Sequence, residues 1–308
     1  MKKIIVLLII GLFILVGCEE TVETSFSKPF IGGTSAIEFD FIEGSPPAEA
    51  YDKGSYPFEV TLNVENKGEY DVPKDKITID LAGFYPPDFN DPEIVKQPDE
   101  DLEKSYIDSE GNTIPGTVTY ITFPEFNFMD ELTANNEYRI RANLCYVYGT
   151  IAQADLCILD DLTKIKDEVC KVSESKRVDC SSAPVKIENL EESIAGTDKI
   201  TFSFEIVHRG SGLVSKLGSN CSDETIDKNK VWVEIDSGLE GLTCSALSDG
   251  TDTSGYTTLY GGKRMVRCTQ DISASELQGK DFEKKVNIKA TYDYKEHEEV
   301  TVLVKHTT

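Results

Sequence analysis

Asn143-Leu144-Cys145-Tyr146-Val147-Tyr148 returns as Lys289-Ala290-Thr291-Tyr292-Asp293-Tyr294, a constant 146 residues later. Each copy runs through polar residues to a second apolar stretch, Leu156-Cys157-Ile158 or Val302-Leu303-Val304. The match extends upstream in the same order. Glu131-Leu132 has a counterpart in Glu276-Leu277. Asp75-Lys76-Ile77-Thr78-Ile79-Asp80-Leu81 resembles Asn229-Lys230-Val231-Trp232-Val233-Glu234-Ile235, at an offset of 154. Phe58 to Val64, followed by Gly68, matches Thr201 to Ile206, followed by Gly210. Order is kept while the offset drifts with loop length, as two copies of one folding unit require.

The repeated pieces read as strands. Val60, Leu62 and Val64 alternate with Thr61, Asn63 and Glu65, and Val231, Val233 and Ile235 alternate with polar neighbours. A period of two means one buried face and one wet face. Turn signals punctuate the runs: Asn66-Lys67-Gly68, Ser109-Glu110-Gly111-Asn112, Asp249-Gly250 and Tyr260-Gly261-Gly262. Only Met129 to Asn135 and Ser273 to Gly279 suggest single helical turns. Many short strands at regular spacing specify an all-β sandwich or barrel.

The first eighteen residues carry a different message. Lys2 and Lys3 precede an uncharged apolar run, Ile4 to Val16, closed by Leu15-Val16-Gly17-Cys18. A positive start, a short apolar core and small residues before a cut are the parts of an export signal. The last four residues resemble a lipobox, which implies cleavage before Cys18 and a diacylglycerol on its thiol. An ordinary signal peptide and an uncleaved anchor are the alternatives. As a helix, Ile4 to Gly17 would span roughly 21 Å, short of the roughly 30 Å of a bilayer core. No later apolar stretch is long enough to span. The expected address is extracytoplasmic, at a membrane-anchored cell surface.

About seven strands in each unit of roughly 120 residues suggests an immunoglobulin-like sandwich. The chain resembles the divergent immunoglobulin-like modules of microbial surface proteins. It lacks the Cys, Trp and Cys pattern of antibody domains. The resemblance implies residues 1–18 as signal peptide with lipobox, 19–33 as a polar stalk, 34–159 as a first immunoglobulin-like β-sandwich, 160–182 as a disulfide-stapled linker and 183–306 as a second sandwich.

Eight cysteines occur, without a C-x-x-C pair, and the three histidines are far apart, so a zinc site is not expected. Exported cysteines pair by default. Cys145 and Cys157 would face each other across a hairpin centred near Ile151, Cys170 and Cys180 would staple the linker, and Cys244 would join Cys268. Cys221 is left over, and its pairing with Cys244 or Cys268 is the rival arrangement. Asn220-Cys221-Ser222 also reads as a glycosylation sequon.

The formal charge of −24 argues against a nucleic-acid partner. No G-x-S-x-G elbow, phosphate loop or dinucleotide motif occurs, and no histidine lies near a nucleophile in sequence. Pro86 to Glu131 holds twelve Asp or Glu residues against Lys96 and Lys104. Asp88, Asn90, Asp91, Asp99, Glu100, Asp101 and Glu103 raise calcium as a question, with Asp249-Gly250-Thr251-Asp252 a poorer candidate, although the EF-hand spacing is missing. No cofactor is otherwise expected. The same insertion carries Phe84, Tyr85, Phe89 and Tyr106 among prolines, which marks it as a candidate recognition loop. The expectation is a non-catalytic lipoprotein with a binding or structural role, its partners being membrane lipid at the anchor and an envelope protein, a glycan or a second copy. The alternatives are an accessory subunit of an exported enzyme or transport complex, and an exported hydrolase using an unrecognised carboxylate pair.

Overall fold

Buried and exposed side chains alternate along nearly every strand. Ile77, Ile79 and Leu81 point inward while Thr78, Asp80 and Ala82 do not. These observations come from a computed structural model, which describes residues 28–162, 169–272 and 280–307. The leader with Cys18, most of the stalk, and the turn expected at Ser273 to Gly279 lie outside the described residues.

The chain is almost all β. Its first part supplies β1 (Ile37–Phe41), β2 (Glu49–Tyr51), β3 (Phe58–Asn66), β4 (Ile77–Ala82), β5 (Val95–Lys96), the small hairpin of β6 (Tyr106–Ile107) and β7 (Thr113–Ile114), then β8 (Val118–Phe126) and the long β9 (Asn136–Ile158). The joining segment supplies β10 (Glu174–Lys176) and β11 (Val178–Cys180). The last part supplies β12 (Val185–Ile194), β13 (Lys199–His208), β14 (Leu213–Ser215), β15 (Lys230–Asp236), β16 (Leu242–Cys244), β17 (Ser254–Thr258), β18 (Lys263–Asp271) and the long β19 (Phe282–Lys305). No helix forms at Met129 to Asn135; the Leu132 amide there donates to the Asp52 carboxylate instead.

One nine-stranded sheet runs through the molecule, with the path β17-β15-β19-β9-β4-β5. A three-stranded sheet, β1-β3-β8, and a five-stranded sheet, β10-β12-β13-β18-β16, accompany it. The even-numbered residues of β9 and β19 supply much of the core, including Leu144, Tyr146, Tyr148, Ile288, Tyr292 and Tyr294.

The spine is the pairing of β9 with β19. All 23 residues of β9 find an antiparallel partner on β19, from Asn136↔Val304 to Ile158↔Phe282. The repeated motif sits at the middle: Tyr146 faces Tyr294, Tyr148 faces Tyr292, and Val147 faces Asp293. Offset by 146, each of the two tyrosine pairs becomes the other. The register is therefore a pseudo-twofold about Val147 and Asp293. The matched segments obey it: Thr78↔Cys145 corresponds to Trp232↔Thr291, and Leu81↔Ala142 to Ile235↔Ile288.

The repeats also exchange strands. The first half of β9 pairs with β4 of its own repeat, but its second half lies against β19 and β11. The first half of β19 pairs with β15, and its second half returns to the first repeat. The hairpin expected near Ile151 does not form. Gly149, Thr150 and Ile151 stay extended opposite Thr291, Ala290 and Lys289. Strands from both expected modules therefore share one sheet, and the joining segment 160–182 adds a strand to each of the two larger sheets.

The straight course of β9 corrects the cysteine pairing. Cys145 and Cys157 lie twelve positions apart on one strand, about 40 Å at the usual rise, so they cannot bond. Cys145 bonds Cys221 instead, and Cys157 bonds Cys170. Cys170 is thereby taken, and Cys180 on β11 is a free thiol. Cys244–Cys268 forms as expected, across β16 and β18. Loop-closure entropy gives from about 3 kcal/mol for the 13-residue separation to about 4.5 kcal/mol for the 76-residue one.

Two glycines hold the pseudo-symmetric corners. A Cβ on Gly68 would lie 1.8 Å from the Tyr148 hydroxyl, and one on Gly210 would lie 2.2 Å from that of Tyr294. Their amides donate to Ala36 and Pro184 carbonyls respectively. Overpacking at such a site costs about 3 kcal/mol. Urea denaturation of Gly68→Ala should show a loss of that size. Against a Tyr148→Phe background the loss should shrink without vanishing, because the Ser35 carbonyl is also 2.6 Å away. The strand exchange carries its own expectation. Residues 28–162 expressed alone lack the strand that β19 donates, so sedimentation and circular dichroism should find no folded monomer.

Candidate binding surfaces

The aromatic insertion turns most of its rings inward. Phe89 is fully buried and Phe84 packs against the core. Phe89 meets Phe58, Phe84, Phe126, Phe128 and Tyr138 with centroids 5.2–6.3 Å apart. The cause is local: a short 3-10 turn over Pro86–Phe89 ends at Asn90 in the left-handed region, and the Phe89 carbonyl receives the Asn127 amide. Phe84 and Phe89 thus plug the sandwich, a correction to their expected role in recognition. Tyr85 and Tyr106 remain exposed, on separate elements.

Some residues of the acidic stretches make ordinary contacts, one through a carboxylate and two through main-chain carbonyls. Asp101 accepts the Lys74 amide, the Asp99 carbonyl accepts the Lys74 ammonium, and the Asp252 carbonyl accepts the Cys244 amide. Among the described residues, no group of three or more His, Cys, Asp or Glu is placed to hold a metal. Asn220 of the sequon lies beside the disulfide of Cys221.

Three carboxylates that the sequence does not single out are buried, and each is satisfied by backbone amides. Glu69 accepts from Ile31 and Gly32 at 2.9 Å and from Ser182 at 2.7 Å. This ties the entering chain to the start of the second repeat. Asp52 accepts from Leu132, Thr307 and His306. Burial would raise its pKa, but the hydrogen bonds from Thr307, His306 and Leu132 hold it well below the usual carboxylate range. Glu192 accepts the Cys157 amide on both oxygens, at 3.0 and 3.1 Å, with the Lys176 ammonium 3.3 Å away. Burial dominates there and pushes its pKa up to about 7. His208 lies 3.3 Å from the Tyr294 hydroxyl, and burial lowers its pKa.

Two of the concavities open beside the spine. A cleft of about 510 Å³ opens beside the pseudo-twofold, lined by Asp75, Lys76, Thr78, Asp80, Asn220 and Lys295, with Cys145–Cys221 as one wall. Asp293 is buried below it. Its carboxylate receives the amides of Gly218 at 2.9 Å and Cys221 at 3.3 Å, and the Ser219 hydroxyl at 3.3 Å. The loop of the second repeat is thus pinned to the spine by one disulfide and one carboxylate. The lining offers hydrogen bonds and charges of both signs to a small polar molecule. One signal could have located it: Asp293 stands where its copy has Val147.

The second concavity, about 460 Å³, is a groove between β1 and β19, lined by Ile37 to Asp40, Ser211, Gly212 and Glu296 to Glu298. Glu296 accepts from the Tyr146 hydroxyl at 3.2 Å and the Ser211 hydroxyl at 3.4 Å. Burial raises its pKa, and the charges of Glu38 and Glu298 add to the rise.

No protein-family model matches the chain, and no curated protein matches it.

Glu192 makes stability depend on pH with a definite sign. Its folded pKa of about 7 lies above the ordinary 4.5. The folded state therefore holds a proton that the unfolded chain releases between those values. Stability falls as pH rises through that window, by on the order of 2–3 kcal/mol from this group. Denaturation of Glu192→Gln between pH 5 and 8 should show a correspondingly flatter profile than the parent.

Proposed function

We propose that this chain is an exported lipoprotein, anchored through Cys18, whose two immunoglobulin-like halves form a non-catalytic binding or structural body at the cell surface. The observation that carries the proposal is the disulfide set. Three cross-links, at separations of 13, 24 and 76 residues, fit an oxidising compartment. The leader from Met1 to Cys18 supplies the same address from independent residues. In each half a separate antiparallel sheet of three or five strands accompanies the shared sheet, in support of the immunoglobulin-like reading. The last strand of each half comes from the other, so the body is a fused, strand-exchanged pair of repeats.

A binding role is supported by what the polar groups do. Asp52, Glu69 and Glu192 are occupied in holding backbone, and His306 is hydrogen-bonded to Asp52. The cleft beside Asp293 and the acidic groove are two surfaces open to a partner, which would be an envelope protein, a glycan or a second copy. Mass spectrometry of the native protein from the membrane fraction, without reduction, tests the proposal. It should find a diacylglyceryl-modified Cys18 as the first residue and bonds 145–221, 157–170 and 244–268. Protein retaining Met1 in the cytosol with every thiol free would overturn it.

A further inference from the structure

The pseudo-twofold makes the two repeats a control for one another, and one edge differs. On β9, the edge facing away from β19 is covered between Ile151 and Ala154. Val178–Cys180 pair with Ala154–Ala152, and Ser181 exchanges hydrogen bonds with Ile151, its amide to the carbonyl at 2.8 Å and its hydroxyl from the amide at 2.9 Å. The corresponding positions on β19, 146 residues later, are His297 to Val300.

Among the described residues, no strand pairs with them on the edge facing away from β9. Along this edge β14 pairs with β19 as far as Lys295, and β2 takes over only at Leu303. The gap is seven residues long, from Glu296 to Val302. The Leu303 amide points to this side, where it donates to the Ala48 carbonyl, and the Lys305 carbonyl accepts the Asp52 amide there. Strand alternation then puts the amides and carbonyls of His297, Glu299 and Thr301 on the same edge. Among the described residues, none of these six groups has a partner on that side. Unpaired edges of this kind are templates for an added strand.

The chemistry of the gap selects what would fill it. Glu296 and Glu298 project into the groove, and Asp40 of β1 lines its other wall. None of the three has an ion-pair partner among the described residues, while Glu38 beside them is held by Lys67 at 2.8 Å. Burial makes ionisation of Glu296 costly, and the charges of Glu38 and Glu298 add to that cost. Cations at alternate positions of an added strand would fall on the side of Glu296 and Glu298.

We propose that the groove between β1 and β19 binds an extended segment of a partner protein, with basic residues at alternate positions, which pairs with the free edge of β19 from Glu296 to Val302. In the first repeat this segment would complete the sheet as β11 completes it in the second. The inference deepens the binding role proposed above. Its test needs neither the lipid nor the disulfide map, so the two can fail separately.

The probe is a blocked eight-residue peptide of alternating Lys and Val, titrated against the full chain by fluorescence anisotropy and amide hydrogen exchange. Binding should protect the amides of His297, Glu299 and Thr301. The double variant Glu296→Gln, Glu298→Gln should weaken binding by about tenfold or more. A peptide of the same charge, N-methylated at the positions that must pair, should bind no better than an alternating Glu and Val peptide. Equal binding of the methylated peptide would mean attraction to net charge alone and would overturn the proposal, as would binding without edge protection or no binding. Edge protection that rises with protein concentration in the absence of peptide would assign the groove to a second copy and overturn it equally.

Discussion

The antiparallel ladder between β9 and β19 is the constraint on which everything else rests. It joins 23 positions without a break and places the repeated tyrosines opposite one another. Each repeat supplies the strand that completes the other, so neither half encloses its core alone. Loop-closure entropy is the cost of such a design, because partners 124 to 168 residues apart must meet. The return is a spine whose two faces serve both halves at once. The tyrosine hydroxyls illustrate the coupling: that of Tyr292, from the second repeat, lies 3.4 Å from the Thr150 hydroxyl of the first.

Around this spine, buried carboxylates do the work that turns and caps do elsewhere. Leaving a buried amide unpaired costs roughly 1–3 kcal/mol, and Glu69 alone satisfies three. Asp52 gathers the C-terminal residues His306 and Thr307 in the same way. Asp293 fixes the loop that Cys221 also holds. The acidity of the chain is therefore not wholly a surface property, and a few of its carboxylates are interior fasteners.

Much of this was legible before any coordinates. Alternation identified the strands, and the offsets of 146 and 154 reappear as the register of the sheet. The course of β9 departs from the expected hairpin because the residues there carry none of a hairpin's turn signals. Gly149-Thr150-Ile151-Ala152-Gln153 contains no Asn-Gly or Asp-Gly pair and continues the alternation. The expected Cys145–Cys157 pair rests on that hairpin, and the separate Cys170–Cys180 staple fails because Cys157 takes Cys170. Phe84 and Phe89 were misjudged for another reason: local composition does not tell whether an aromatic ring faces a ligand or the core. Glu69, Asp52 and Glu192 were invisible because a carboxylate that caps distant amides has no local signature.

The Glu69 clamp has a mechanical consequence. It grips the incoming chain at Ile31 and Gly32, beside Ser182 and within reach of the spine's midpoint, rather than at a tip of the body. Tension applied through Lys28 is delivered to the waist and divided between both repeats. The load falls first on the two charge-assisted bonds that Ile31 and Gly32 donate to one side chain, itself tied to Ser182 by a third.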